Sequence, residues 1–418
     1  SLEGIKELAA LYQSIKPCAS WVGFGLQRHH NGGQNVRAIN ALNAITGNFD
    51  KPGGGLFYYH PASELFPMQI VHYADSVKDL KLKTRKVSIN KFAEKILALN
   101  DPPVKFLWVA SRNPLTQDQG LKAWKTLLEQ LEMVVTVDLF MTPMAEASDI
   151  VLPAASHFED YDVNFSYWHY WVGLNEKALP SFYEAKSDLQ IARELTRKLN
   201  QLSPGFSIFP TERSAIDWIE LEFTPQVLKQ FGLQSWQDLR NGPAKLKEGL
   251  LKPEGRLQTA SGKFELYSLA AKQNALPAIS KFTMTREKPL FPLIMLTPQQ
   301  QFRLHSQYGF IPSLQIGEVN HDKLVKMNPF DAAARKIAEG DSVLIYNKSG
   351  AIKRKAQLSQ DVPRGIIVVY QGGSEPANRL LESLYTDMGE KQSGSTGLAF
   401  YDAVVEVKRL VEKDEDYD

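Results

Sequence analysis

The chain has 418 residues, 43% of them hydrophobic and 23% charged, with a formal net charge of +1. That is an ordinary globular balance, and it gives no bulk attraction to nucleic acid or to an acidic membrane. The single cysteine, Cys18, excludes internal disulfides and any cysteine-built zinc or iron–sulfur site within the chain.

Cys18 follows Pro17 ahead of an apolar strand and reads as a buried structural thiol. Cysteine scarcity fits a reducing, cytoplasmic compartment, with export left open. No apolar run approaches the roughly 20 residues that span a bilayer. The opening residues 1–12 form a charged amphipathic pattern rather than a signal peptide. The length predicts two or three domains.

Residues 2–14 read as a helix with Leu2, Ile5, Leu8, Ala9 and Tyr12 on one face. Residues 19–25 read as a strand and 35–46 as a second helix, closed by Gly47-Asn48. No parallel neighbour for that strand is evident, so the chain is expected to begin in mid-fold and to need an N-terminal region or a partner chain. Gly53-Gly54-Gly55 marks a break, and residues 62–100 read as mixed and largely helical.

The next stretch carries the most information. Trp108-Val109-Ala110 runs into Ser111-Arg112-Asn113-Pro114, and Val134-Val135-Thr136-Val137 runs into Asp138. Each half reads as a buried parallel strand covered on both faces. Between them, Leu121, Trp124, Leu127, Leu128 and Leu131 recur at helical spacing from Asp118 onward. Ligands of such βαβ units bind beyond the carboxyl ends of the strands. Ser111, Arg112, Asn113 and Asp138 stand at those ends. An Asp accepts paired N–H donors of the kind a guanine edge offers, and an Arg with backbone amides suits a phosphate.

A helix over 189–199 follows, with Ser187 or Asp188 as its cap, then a polar helical stretch over 203–255 and a linker over 281–292. Short strands over 293–297, 342–346, 351–358 and 365–370 come next, with a hairpin turn over 347–350 and a helix over 329–338 capped by Asn328. Together they predict a closed β-barrel. The acidic tail 412–418 reads as frayed.

Several segments carry weaker signals. The glycine-rich run Gly23 to Gly33 lacks the G-x-G-x-x-G spacing of a dinucleotide loop, which also disfavours a nicotinamide dehydrogenase. His29 and His30 have no third metal ligand nearby. Gly262-Lys263 lacks the Walker spacing and reads as a turn. Glu159 and Asp162 read as capping or interdomain carboxylates, and Trp168, Tyr170 and Trp171 as packing residues.

Longer motifs recur in a fixed order. They are Gly23-x-Gly25-x-Gln27-Arg28-His29 with Arg37-Ala38-Ile39 and Thr46-Gly47-Asn48; Asp138-Leu-Phe-Met-Thr142 leading to Ala147-Ser-Asp149-Ile-Val-Leu-Pro153; Thr259-x-Ser261-Gly262-Lys263; Arg303-x-His305-Ser306-Gln307; and Asn378-x-Leu380. In these the chain resembles the C-terminal part of a molybdopterin oxidoreductase of the dimethyl sulfoxide reductase family, over nearly all of its length.

The resemblance implies an α/β fold: parallel-sheet dinucleotide-binding domains followed by a C-terminal β-barrel of the double-psi type. Its divisions are residues 1–55, 56–288 and 289–418. It implies bis(molybdopterin guanine dinucleotide) with molybdenum or tungsten, contacted by Ser111, Arg112, Asn113, Asp138, Thr142, His305, Ser306, Gln307 and Asn378. His60 stands where formate dehydrogenases carry an arginine near the metal. That argues against formate oxidation and makes His60 the candidate proton carrier.

The metal-ligating residue and any 4Fe-4S cluster belong to the region upstream, so no metal ligand is expected in this chain. An electron-transfer subunit is a further expected partner. Residues 184–188 point to the dimethyl sulfoxide reductase side of the family. The alternative is a non-catalytic cofactor-binding or assembly chain, or one half of a split enzyme.

Overall fold

The computed structural model describes residues 1–49, 51–59, 62–73, 85–247, 257, 259–282, 290–301, 303–309, 311–315, 323–372, 375–390 and 395–411. His60, the middle of the 281–292 linker and the tail 412–418 lie outside the described residues.

Helix α1 (Leu2–Ser14) begins at Ser1, whose hydroxyl accepts the Gly4 N–H. None of its residues is buried. Strand β1 (Ala19–Trp21) leads to helix α2 (Gly32–Ile45), and strand β2 (Gly55–Phe57) follows the triple glycine. β1 and β2 pair in parallel, Ala19 with Gly55 through Trp21 with Phe57. The expectation that β1 has no partner in the chain is therefore corrected. Glycine is required twice here, because a Cβ on Gly32 would strike the Leu26 carbonyl and one on Gly54 the Asn48 carbonyl.

The central sheet is parallel, in the order β3 (Phe106–Ala110), β4 (Met133–Asp138), β5 (Ile150–Pro153). Helix α3 (Phe92–Leu97) precedes it. Between β3 and β4 the chain forms a short α4 (Pro114–Gln117) and then α5 (Leu121–Gln130). The break falls at Gly120, with φ +69°, so the helical spacing starts later than Asp118. Trp124 and Leu127 of α5 pack on Ala93 and Ile96 of α3, each 8% exposed or less. Val109, Val134 and Met144 fill the space between sheet and helices.

The opposite face departs from expectation. Phe106, Trp108, Met133 and Ile150 share it and are 49%, 37%, 42% and 43% exposed. The strands are apolar as predicted, but this face is covered only in part: Val135 and Val137 are buried on it, while those four residues stay open.

An antiparallel unit follows: β6 (Asp162–Ser166), β7 (His169–Asn175) and β8 (Ala244–Lys245). It packs through Val172 against Phe66, Ile219 and Phe231. The predicted helix over 189–199 runs Asp188–Leu202, with the Ser187 hydroxyl accepting the Gln190 N–H.

The last part is a closed six-stranded barrel. Its strands are β9 (Leu293–Leu296), β10 (Leu324–Met327), β11 (Ser342–Tyr346), β12 (Ala351–Leu358), β13 (Ile366–Val368) and, after an excursion of β14 (Tyr385–Glu390) and β15 (Ser395–Leu398), β16 (Val404–Arg409). They close in the order β10-β12-β11-β16-β9-β13. The pairs β10–β12 and β9–β13 are parallel and the rest antiparallel. Alternate residues point inward: Met295, Val325, Met327, Val343, Ile345, Ile367 and Val405 are all fully buried. The expected turn joins β11 to β12, where the Asn347 N–H donates to the Gly350 carbonyl. No helix among the described residues is long and apolar enough to cross a membrane.

Ile345 is fully buried in the barrel core, on a strand paired with β12 on one side and β16 on the other. Ile345→Ala is expected to destabilise the barrel by about 2–5 kcal/mol, read as a lower urea midpoint in a transition followed through barrel-specific amide protection.

Candidate functional site

A cavity of about 270 Å³ lies where the carboxyl end of β3 meets the barrel. Arg112, Gln117 and Asp118 form one wall; His305, Gln371 and Asn378 form the other. Arg28, from the loop after β1, lines it as well. The strand-end rule of parallel sheets is thus obeyed, with the barrel closing the site.

Local structure explains each position. Ser111, just past β3, adopts φ +55°, a left-handed turn that redirects the chain into Arg112. One Arg112 guanidinium nitrogen donates to both Asp118 carboxylate oxygens at 2.7 Å. Asn113 is buried, caps α4 by position, and bonds the Thr116 hydroxyl at 3.1 Å. His305 also has positive φ, +53°, and its Nδ1 lies 3.2 Å from Gln371 Oε1. The other end of Gln371 donates to the Thr297 carbonyl at 2.6 Å.

Asn378 belongs to a short 3-10 turn (Ala377–Leu380) of the barrel. Its amide group donates to the Asp118 carbonyl at 2.7 Å and to the Leu115 carbonyl at 3.3 Å. Its Oδ1 is buried and has no partner. Gln117 donates to the Ser306 hydroxyl at 3.2 Å. Burial pushes the Asp118 carboxyl up, while Arg112 and the Trp124 indole N–H pull it back.

A second set of bonds holds the barrel to the glycine-rich loop. Asp387 accepts the N–H groups of Gly33 and Gln34 at 2.7 and 3.0 Å, at the start of α2. Asp402 accepts from the His30 N–H and pairs with His29 Nδ1 at 2.9 Å. The helix N-terminus that a dinucleotide loop would offer to phosphate is occupied here by a protein carboxylate. His29 and His30 serve the same junction, since His30 Nδ1 meets the Tyr385 carbonyl. Among the described residues no group of three metal-ligating side chains is found.

The structure brings together Arg112, His305 and Asn378 on the cavity wall, with Ser111, Asn113 and Ser306 adjoining it. It does not bring Asp138, Thr142 or Gln307 there. Asp138 accepts the Leu139 and Phe140 N–H groups and the Thr142 hydroxyl, and Thr142 caps the turn that follows. Both stand at the same strand-end edge of the sheet as Arg112, one strand away. Gln307 is exposed beside a local bridge to Leu304. Sequence reasoning missed Arg28, Asp118 and Gln371. Arg28 stood inside a quoted motif, whereas Asp118 looked only like a helix start. Glu159 is a cap, accepting from Ser156 and from the Phe182 N–H.

The molybdopterin oxidoreductase profile matches residues 6–198, and that of the molybdopterin dinucleotide binding domain matches residues 293–396. The chain belongs to the molybdopterin oxidoreductases of the dimethyl sulfoxide reductase family. It is 28% identical over 421 residues to a probable oxidoreductase, YyaE, of Bacillus subtilis, covering 98% of this chain and 60% of that protein. It is 25% identical over 432 residues to the trimethylamine-N-oxide reductase of Haemophilus influenzae, covering 88% of this chain and 51% of that one. The chain therefore spans about 50–60% of the length of these relatives. Among solved structures, acetylene hydratase from Pelobacter acetylenicus has the same fold, with TM-score 0.72 and 18% identity over 98% of this chain and 63% of that one.

Asp402 gives the junction a pH dependence. Burial alone would raise its carboxyl, but the bonds from His29 and the His30 N–H outweigh it and hold it below the ordinary range. A depressed carboxyl contributes stability above its unfolded value, about pH 4, and loses it as pH falls through the folded value. Asp402→Asn is expected to lower the thermal midpoint at pH 7. The gap from the unaltered chain should shrink on acidification below about pH 4, measured by calorimetry across the range.

Proposed function

We propose that the chain forms part of a molybdenum or tungsten oxidoreductase acting on a small substrate, and that it holds molybdopterin guanine dinucleotide at the junction of its α/β sheet and its barrel. The observation that carries this reading is Asn378 Oδ1. It is an acceptor on a side chain 5% exposed, at the cavity wall, with no protein partner. Leaving such a group unpaired costs about 1–3 kcal/mol. A pyranopterin ring offers N–H donors that meet it, while His305, Gln371 and Ser306 offer further polar partners.

Asp138 and Thr142 are assigned to the guanine end. The Asp138 carboxylate has about four lone-pair sites, so local capping leaves acceptor capacity for paired N–H donors. His60, which directly follows Tyr58-Tyr59, is assigned proton transfer near neutral pH. When bound, the metal supplies oxygen-atom transfer or coupled electron and proton transfer, and this chain's residues supply orientation and access. With one cysteine in the chain, an iron–sulfur cluster would need ligands from another polypeptide region. The oxidoreductase names of the relatives favour this reading over a non-catalytic assembly chain.

The test is cofactor retention. After incubation with molybdopterin guanine dinucleotide, the chain is expected to retain it through gel filtration, read as acid-released GMP and oxidised-pterin fluorescence. Asn378→Ala should retain roughly a tenth as much at limiting cofactor, the scale of one buried hydrogen bond. Absence of both GMP and pterin from the unaltered chain would overturn the reading.

A further inference from the structure

We propose that Arg28 and Arg112 form a two-arginine anion clamp in the cavity, and that Asp118 is the positioning residue that aims Arg112 into it. The anion is a phosphate or diphosphate ester on the ligand. That identity rests on the cofactor reading above, whereas the clamp itself rests on this chain's own residues.

Charge is the first argument. Two guanidinium groups line the cavity against one carboxylate, so the lining carries an excess positive charge. A partly buried cation left uncompensated is costly, and an anion entering the cavity removes that cost. Arg28 meets no carboxylate among the described residues, and its guanidinium lies 5.3 Å from the centre of the Phe400 ring. Arg112 spends one nitrogen on Asp118, leaving N–H donors on its fork for a ligand. Two planar forks suit the oxygens of a phosphate group better than two ammonium groups would.

Fixation of Asp118 is the second argument. Its carboxylate takes Arg112 and the Trp124 indole N–H, and its backbone carbonyl takes the Asn378 amide. Trp124 itself is 2% exposed and stacked on Phe92, so this anchor is held by packing as well as by its bond. Phe92 also lies 6.0 Å from the Arg112 guanidinium. Arg112 is therefore held from two sides, and through Asn378 the barrel helps to set its direction. Asn378, which lines the same cavity, keeps a deeply buried Oδ1 with no protein partner, a second feature there that a ligand would satisfy.

The sign of one substitution separates positioning from simple charge. Asp118→Asn removes a negative charge from the cavity, which by electrostatics alone would tighten anion binding. If Asp118 aims Arg112, the same change weakens it. Calorimetric titration of the full chain with inorganic pyrophosphate, GDP and guanosine measures this.

Pyrophosphate and GDP are expected to bind and guanosine at least tenfold more weakly. Arg28→Gln and Arg112→Gln should each weaken pyrophosphate at least tenfold, and Asp118→Asn several-fold. Arg112→Lys, which keeps the charge and loses the fork, should fall between the unaltered chain and Arg112→Gln and guards against misfolding. Binding by Asp118→Asn as tight as the unaltered chain, or tighter, would overturn the positioning role. Unchanged pyrophosphate affinity in both arginine variants would overturn the clamp.

The two readings fail separately. Pyrophosphate binding that depends on the arginines, without pterin retention, leaves the clamp standing and removes the cofactor assignment. Undiminished pterin retention by the Arg28→Gln, Arg112→Gln double variant does the reverse.

Discussion

The site depends on the Asn378 amide donating to the carbonyls of Leu115 and Asp118. Asn378 belongs to the barrel, and its two acceptors belong to the segment leaving β3. Each bond is modest by itself, but it is buried, so breaking it strands a carbonyl away from water. That asymmetry fixes how the two parts meet. The bond from Gln119 to the Ala399 carbonyl and the Asp387 and Asp402 contacts act in the same direction. The cavity belongs to the docked pair, and neither the sheet nor the barrel encloses it alone.

Much of the fold was legible where a strand is long and ends in turn chemistry. β3, β4, β11 and β12 are apolar or alternating runs bounded by Ser, Asp or Asn and glycine, and their positions follow from period and punctuation. The β1–β2 pairing was not legible. β2 has three residues, too few for a period, and its partner lies more than thirty residues back. The β6–β7 hairpin was missed because Ser166-Tyr167-Trp168-His169 holds a single turn-forming residue, Ser166, whose hydroxyl accepts the Trp168 N–H, and neither glycine, proline nor asparagine. Exposure of Phe106 and Trp108 was equally invisible, since an apolar strand reads the same whichever polypeptide covers it.

The candidate site divides along the same line. Arg112, His305 and Asn378 stood in recognisable runs, and the structure sets all three around one cavity, Arg112 facing it from the sheet and the other two from the barrel. Asp138 and Thr142 were equally prominent, yet the bonds they make are local, because a carboxylate at a strand end first satisfies the N–H groups of its own turn. Arg28 and Asp118 escaped notice for a different reason. Arg28 acquires its setting from Phe400, far along the chain, and Asp118 faces Arg112 across an irregular turn where no period relates them.

Trp124 has an optical consequence. Of the seven tryptophans, Trp21, Trp108, Trp168 and Trp171 are 37–74% exposed, whereas Trp124, Trp218 and Trp236 are buried. The indole nitrogens of Trp218 and Trp236 have no partner, while that of Trp124 is bonded to the Asp118 carboxylate. Its emission therefore reports on a carboxylate bonded to Arg112, against a background of indoles that are either exposed or set beside arginines that do not line the cavity, Arg213 at 4.8 Å from the Trp218 ring centre and Arg240 at 5.6 Å from that of Trp236. The chain carries its own fluorophore beside the wall of its cavity, and filling that cavity changes the field in which the fluorophore emits.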